Sequence, residues 1–180
     1  MRVNDGKKIL GDKRRELIVE WLSTSYQPLT GGELAKRSNV SRQVIVQDIS
    51  ILKAKKHPII ATAQGYIYSK QNLPPKVNRI IACKHSPAET KDELFVLVDH
   101  GVTVQQVIVE HAIYGEITAS LMLSTRLDVE SFCQKVEHTQ SSLLSELTDG
   151  VHLHVLEAEQ ESQLNAAIHV LNERGFILQD

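Results

Sequence analysis

Apolar positions in the first seventy residues follow two periods in succession. Leu17, Ile18, Trp21 and Leu22 recur at spacings of three and four between Asp12 and Thr24, the stripe of an amphipathic helix. A break at Ser25–Pro28 follows. Thr30-Gly31-Gly32-Glu33 then has the form of a capping box, in which hydroxyl and carboxylate satisfy orphan amides reciprocally. The short helix it opens carries Leu34 and Ala35 and ends near Ser38-Asn39. Ser41 reads as the N-cap of a third helix with Ile45, Ile49 and Leu52 as its inward stripe. Pro58 stops helix, and Ile59–Thr62, a turn at Ala63-Gln64-Gly65, and Tyr66–Tyr68 predict a hairpin. Helix, helix, tight corner, helix and hairpin make a winged helix-turn-helix of residues 1–70.

Residues 71–75 end in Pro74-Pro75 and predict an extended linker, because the residue before each proline is pushed out of helix. From 76 to 180 strands and helices intermix. Arg79–Cys83 reads as a strand. Ser86-Pro87-Ala88-Glu89 reads as a helix start, and that helix runs through Leu94 and Val98 to Gly101. Val104–Val109 is strand-like, and Ile117–Leu123 is apolar and ambiguous between strand and helix. Asp128 reads as the cap of a helix carrying Val129, Phe132, Cys133 and Val136. Val151–Leu156, Glu159–Arg174 and Phe176–Leu178 predict strand, helix and a last short strand. The expected fold is α+β, a winged helix-turn-helix followed by an α/β sandwich.

Charge separates the same two halves. Residues 1–70 hold 13 Lys/Arg against 6 Asp/Glu, a net +7, whereas residues 71–180 hold 7 against 16, a net −9. Such asymmetry suggests that one half meets a polyanion. With Ile45, Ile49 and Leu52 turned inward, Ser41, Arg42, Gln43, Val46 and Gln47 are left on the outer face of the third helix. Arg and Gln read guanine and adenine edges bidentately, and valine can contact a thymine methyl. Lys55 and Lys56 flank that face and suit phosphates. The expected partner is a double-stranded, palindromic DNA operator bound by a homodimer. The polar N-terminus lacks a secretory apolar segment, and no apolar run reaches the roughly 20 residues of a membrane span. Cys83 and Cys133 form neither a disulfide framework nor a CxxC pair, so a reduced cytoplasmic protein with no membrane role is expected.

Seven of the eight histidines follow the linker. His152 and His154 alternate along one strand, which puts both imidazoles on one face about 6.5–7 Å apart at the backbone. His85 precedes the cap Ser86, and Glu93 returns about two turns later to the same side of the helix. His85, Glu93, His152 and His154 together would suit zinc, nickel or a similar ion. From spacing alone, a His-x-His on a half-exposed strand is more often a surface pair than a ligand pair.

Val40-Ser41-Arg42-Gln43-Val44-Ile45-Val46-Gln47-Asp48-Ile49, Cys83–Glu89 with Glu93, Glu110–Ile117 and Gly150–Val155 together resemble the niacin-responsive repressor family, whose regulatory part is a three-histidine domain. The resemblance covers nearly the whole chain. It implies a homodimeric repressor of NAD-biosynthesis or niacin-uptake genes with nicotinic acid as co-repressor. It also implies a divalent metal on His85, Glu93, His152 and His154. Ala112 departs from the proline expected after the middle histidine, His111. For His111 a structural or ligand-proximal role is expected ahead of metal ligation, with Tyr114 and Arg126 as further ligand candidates. His100, His138 and His169 read as surface residues. Two rivals stand beside this reading. One is a metal-dependent hydrolase fused to a DNA-binding domain, for which no general base is evident; a ligase-repressor would need a Gly-rich nucleotide loop that residues 76–180 lack. The other is a regulator whose effector is the metal itself.

Overall fold

A computed structural model describes residues 9–25, 27–69 and 76–178, so the linker expected at 71–75 lies outside the described residues. Contacts divide the chain into two units, residues 1–73 and 74–180.

In the first unit, helices α1 (Gly11–Thr24), α2 (Gly31–Ser38) and α3 (Arg42–Ala54) precede an antiparallel hairpin of β1 (Ile59–Thr62) and β2 (Gly65–Tyr68). Their apolar stripes meet in one core that includes Ile18, Leu22, Leu34, Ile45, Ile49 and Leu52. The capping box forms as expected: Glu33 N–H donates to Thr30 Oγ1 at 3.1 Å, and Thr30 N–H donates to Glu33 Oε2 at 2.7 Å. Asn39 turns the α2–α3 corner in the left-handed region, at φ 51°, a conformation its short polar side chain tolerates. Ser41 holds the N-cap position of α3 without a side-chain capping bond. Leu29 pairs with Tyr66 through two backbone hydrogen bonds of 3.0 and 2.8 Å, which tie the segment before α2 to the hairpin.

One polar contact crosses this core. Arg14 Nε donates to Asp48 Oδ2 at 2.5 Å, Arg15 Nη1 donates to Asp48 Oδ1 at 3.0 Å, and Arg14 Nη1 donates to Ile9 O at 2.6 Å. Arg14 and Asp48 are both buried. Asp48 lies on α3 between inward Ile45 and Ile49, so the carboxylate fixes the roll of α3 against α1.

In the second unit a four-stranded antiparallel sheet has the order β3-β6-β4-β5, with β3 Val77–Lys84, β4 Thr103–His111, β5 Gly115–Leu123 and β6 Val151–Ala158. Helices α4 (Thr90–Asp99), α5 (Arg126–Thr139) and α6 (Glu161–Glu173) cover one face, with α4 packed against both of the others. Leu94, Leu97, Leu156, Leu164 and Leu171 are fully buried between the layers. Each such side chain contributes roughly 1.5–3 kcal/mol on leaving water.

The details differ from expectation in four places. The helix expected from Ser86 begins as a 3-10 turn, Pro87–Glu89, before α4. Ile117–Leu123 is strand, because it pairs with β4 at Ile117–Ser120 and again at Leu123, across a bulge. The cap of α5 is Thr125, and Asp128 is the third residue of its capping box. The final strand reduces to a bridge at Ile177, held to β3 by Lys84 N–H to Phe176 O and Leu178 N–H to Ala82 O, both 2.9 Å.

Replacing Asp48 with alanine leaves the buried Arg14 guanidinium without its carboxylate. Such a loss costs about 3–5 kcal/mol, so thermal denaturation of Asp48→Ala should show early melting of the N-terminal unit. A loss no larger than an exposed ion pair, below about 1 kcal/mol, would refute this role.

Candidate metal centre and DNA-binding face

Alternation along β6 turns His152 and His154 toward the helices, and the β3–β6 register sets Cys83 opposite His152 and Ile81 opposite His154. His85 follows the end of β3. Glu93 descends from α4 onto this group and is fully buried, with all three histidines buried around it. His85 Nε2 lies 2.8 Å and His154 Nε2 3.2 Å from Glu93 Oε2, and His152 Nε2 lies 3.5 Å from Oε1. Gly150, at φ +87°, permits this approach: a Cβ there would stand 2.3 Å from the His85 carbonyl oxygen.

The opposite ring nitrogens fix the tautomers. His85 Nδ1 faces Ser86 O at 2.8 Å, His152 Nδ1 faces Gly150 O at 2.9 Å, and His154 Nδ1 faces Gln106 O at 3.2 Å. A carbonyl oxygen only accepts, so each Nδ1 carries the proton and each Nε2 presents a lone pair in the neutral ring. Three lone pairs aimed at one carboxylate repel it unless cations stand among them. Protons or a metal ion can fill that role.

The titration shifts express the same demand. Burial alone drives the His85 imidazole down, but the hydrogen bond and charge of Glu93 outweigh it and hold the ring above its ordinary value. Burial alone drives Glu93 up, yet the charge of His154 and the close imidazoles of His152, His154 and His85 hold it well below the carboxylate range. Burial, and then the charge of Glu93, push the Cys83 thiol well up. Glu93 Oε1 has no hydrogen-bond partner, an uncommon state for a fully buried carboxylate oxygen. Nitrogen, oxygen and sulfur donors with second-bonded imidazoles are the chemistry of a transition-metal site. The residues present fit such an ion.

The structure brings together His85, Glu93, His152 and His154 and adds Cys83. It does not bring the other ligand candidates to them. His111 ends β4, where Nδ1 accepts from the Ile113 and Tyr114 amides at 3.2 and 3.3 Å, so this imidazole braces its own hairpin turn. The turn forms with Ala112 in place of proline, and Tyr114 is 76% exposed beside the His111 ring. Arg126 pairs bidentately with Asp99, both contacts 2.6 Å, and lies over the Phe95 ring. Cys83 was recoverable in part: Cys83-x-His85 repeats the two-residue spacing of His152-x-His154.

A cleft of about 620 Å³ opens beside His85, lined by Lys84, His85, Ser86, Pro87, Glu146, Asp149 and Gly150. Glu89 closes the helix start above it, accepting from the Ser86 amide at 2.9 Å and from the Ser86 hydroxyl at 2.6 Å.

On the first unit Ser41, Arg42, Gln43, Val46 and Gln47 are all exposed on one face of α3, and Lys55 and Lys56 are exposed just past its end. No helix among the described residues is long and apolar enough to cross a membrane.

Residues 78–180 match the 3H domain family, and residues 14–67 match an HTH domain family. The chain is 50% identical over 175 residues to the transcription repressor NadR of Bacillus subtilis (strain 168), covering 96% of this chain and 97% of the relative. It is 37% identical over 173 residues to the probable transcription repressor NiaR of Thermotoga maritima, covering 96% and 98%. The chain belongs to this family of niacin-responsive transcription repressors. It is a DNA-binding regulator with a helix-turn-helix and a 3H domain, and a hydrolase is excluded as its kind.

Proposed function

We propose that this repressor acts in the cytoplasm on NAD-biosynthesis or niacin-uptake genes, with nicotinic acid as co-repressor. A divalent transition metal, nickel or zinc, is held by His85, Glu93, His152 and His154. The observation that carries the metal is Glu93, a fully buried carboxylate ringed by three imidazole Nε2 atoms and left with an unbonded oxygen. When bound, the ion supplies a large positive charge in a domain of net −9. The cleft beside His85 has the size range of small-ligand sites, and Lys84 on its wall suits a carboxylate. Glu89 already occupies the helix start, so the helix amides contribute little to an anion there. A pyridine carboxylate gains from both cations, and its uncharged amide does not.

The outer face of α3 reads the operator, with Arg42 and Gln47 on base edges, Ser41, Gln43 and Val46 beside them, and Lys55 and Lys56 on phosphates. A homodimer presents two such helices to a palindromic site. Ligand and metal act by favouring one dimer geometry over others.

Three measurements test this. Arg42→Ala or Gln47→Ala should weaken specific operator binding by about 1–3 kcal/mol and relax one base pair, whereas Lys55→Ala or Lys56→Ala should weaken binding to every sequence and flatten its salt dependence. Unchanged operator affinity in Arg42→Ala would remove α3 as the reader. Sedimentation equilibrium at micromolar concentration should give a dimer mass, and a monomer persisting with ligand and DNA excludes the homodimer. Nicotinate should raise the melting temperature of metal-loaded protein where nicotinamide and further metal do not. His152→Ala/His154→Ala should lose both metal and that shift. A folded, metal-free double variant that binds nicotinate like the parent separates ligand from metal, and operator binding that responds to metal but not to nicotinate favours a metal-responsive regulator.

A further inference from the structure

Cys83 is the one donor of the buried cluster without a role. It is fully buried and stands directly opposite His152 in the β3–β6 ladder. Its Sγ, a Glu93 carboxylate oxygen and a His152 ring nitrogen all lie within 4.8 Å of one another. We propose that Cys83 Sγ is a thiolate ligand of the metal centre, joining Glu93 and the imidazoles. This rests on the reading that the centre holds a divalent ion.

Charge balance is the first ground. A divalent ion facing neutral imidazoles and one carboxylate leaves a net positive charge in a site where Glu93, His152 and Cys83 are all buried. Uncompensated buried charge is costly. A thiolate brings ion, carboxylate and sulfur to neutrality. Loading is then a simple exchange: the ion replaces the Cys83 thiol proton, the S–H bond gives way to a metal–sulfur bond, and the proton leaves to solvent. No oxidant is involved.

The second ground is Glu93 Oε1. It is the oxygen not engaged by His85 or His154, it has no hydrogen bond, and His152 Nε2 stands 3.5 Å from it. An orphaned, fully buried acceptor beside the same histidine that faces Cys83 marks where a cation is wanted. The third ground is donor softness. Adding sulfur to nitrogen and oxygen selects nickel, zinc or cobalt over magnesium and calcium.

The experiment uses full-length protein and Ni(II) or Co(II) alone as probe. One equivalent should produce a near-ultraviolet thiolate-to-metal charge-transfer band. The band should persist in Cys133→Ser, whose thiol lies on α5, and vanish in Cys83→Ser. Loss of an outer-shell partner already weakens metal binding about 10–100-fold, so Cys83→Ser should keep one ion per chain at an affinity at least about ten-fold weaker. Should Cys83→Ser fail to fold, the parent and Cys133→Ser spectra decide the matter alone. Stoichiometric uptake without the band, or a band surviving in Cys83→Ser, overturns the thiolate and leaves the histidine–glutamate centre standing. Absence of uptake by the parent overturns the centre and the thiolate together.

Discussion

A carboxylate with no solvent exposure organises the C-terminal unit. Glu93 sits on the inner side of α4 next to fully buried Leu94, where an isolated charge could not persist. Its compensation comes from two segments far apart in sequence: the loop after β3, and two alternate positions of β6. Satisfying one side chain therefore fixes how α4 lies on the sheet and how β6 enters it. Gly150 belongs to the same constraint, since only a residue without Cβ lets the start of β6 pass the His85 backbone.

The N-terminal unit applies the same physics to a different end. In a segment of net +7, Asp48 is the acid turned into the core, where it binds two guanidinium groups of α1. That inward carboxylate holds α3 by its buried side. The opposite side leaves Ser41, Arg42, Gln43, Val46 and Gln47 exposed, the face proposed to read base edges. Specific readout needs side chains held in fixed register to the groove, and a rigid α3 provides it.

Much of this was legible from residue order. The periods of three and four gave α1 and α3 nearly to the residue and α5 and α6 with starts off by two or three, and the capping box at Thr30 located α2. Ile117–Leu123 stayed ambiguous because a short apolar run has no period of its own until β4 pairs with it. The cap of α5 slipped by three residues because Thr125 and Asp128 are partners in one box, and either alone looks like a cap. His152 and His154 were readable as a pair, since alternation is a local property. Cys83 was not, because its place opposite His152 depends on strand register, a long-range fact. Arg126 was misleading for the same reason: Asp99, its partner, is 27 residues away on another helix.

Tautomers connect this architecture to regulation. Each imidazole in the centre donates from Nδ1 to a backbone carbonyl, so its Nε2 orientation is set by main chain and not by the ion. A centre built this way is largely pre-formed, and little ordering cost falls on ligand binding. What the cation changes is the repulsion among Nε2 lone pairs and the Glu93 carboxylate. A cation bound there would relieve that repulsion at the point where α4, β6 and the His85 loop meet. The His85 loop also walls the adjoining cleft. His85 thus belongs both to the proposed centre and to the cleft, so an ion in one and a ligand in the other would meet at a single side chain.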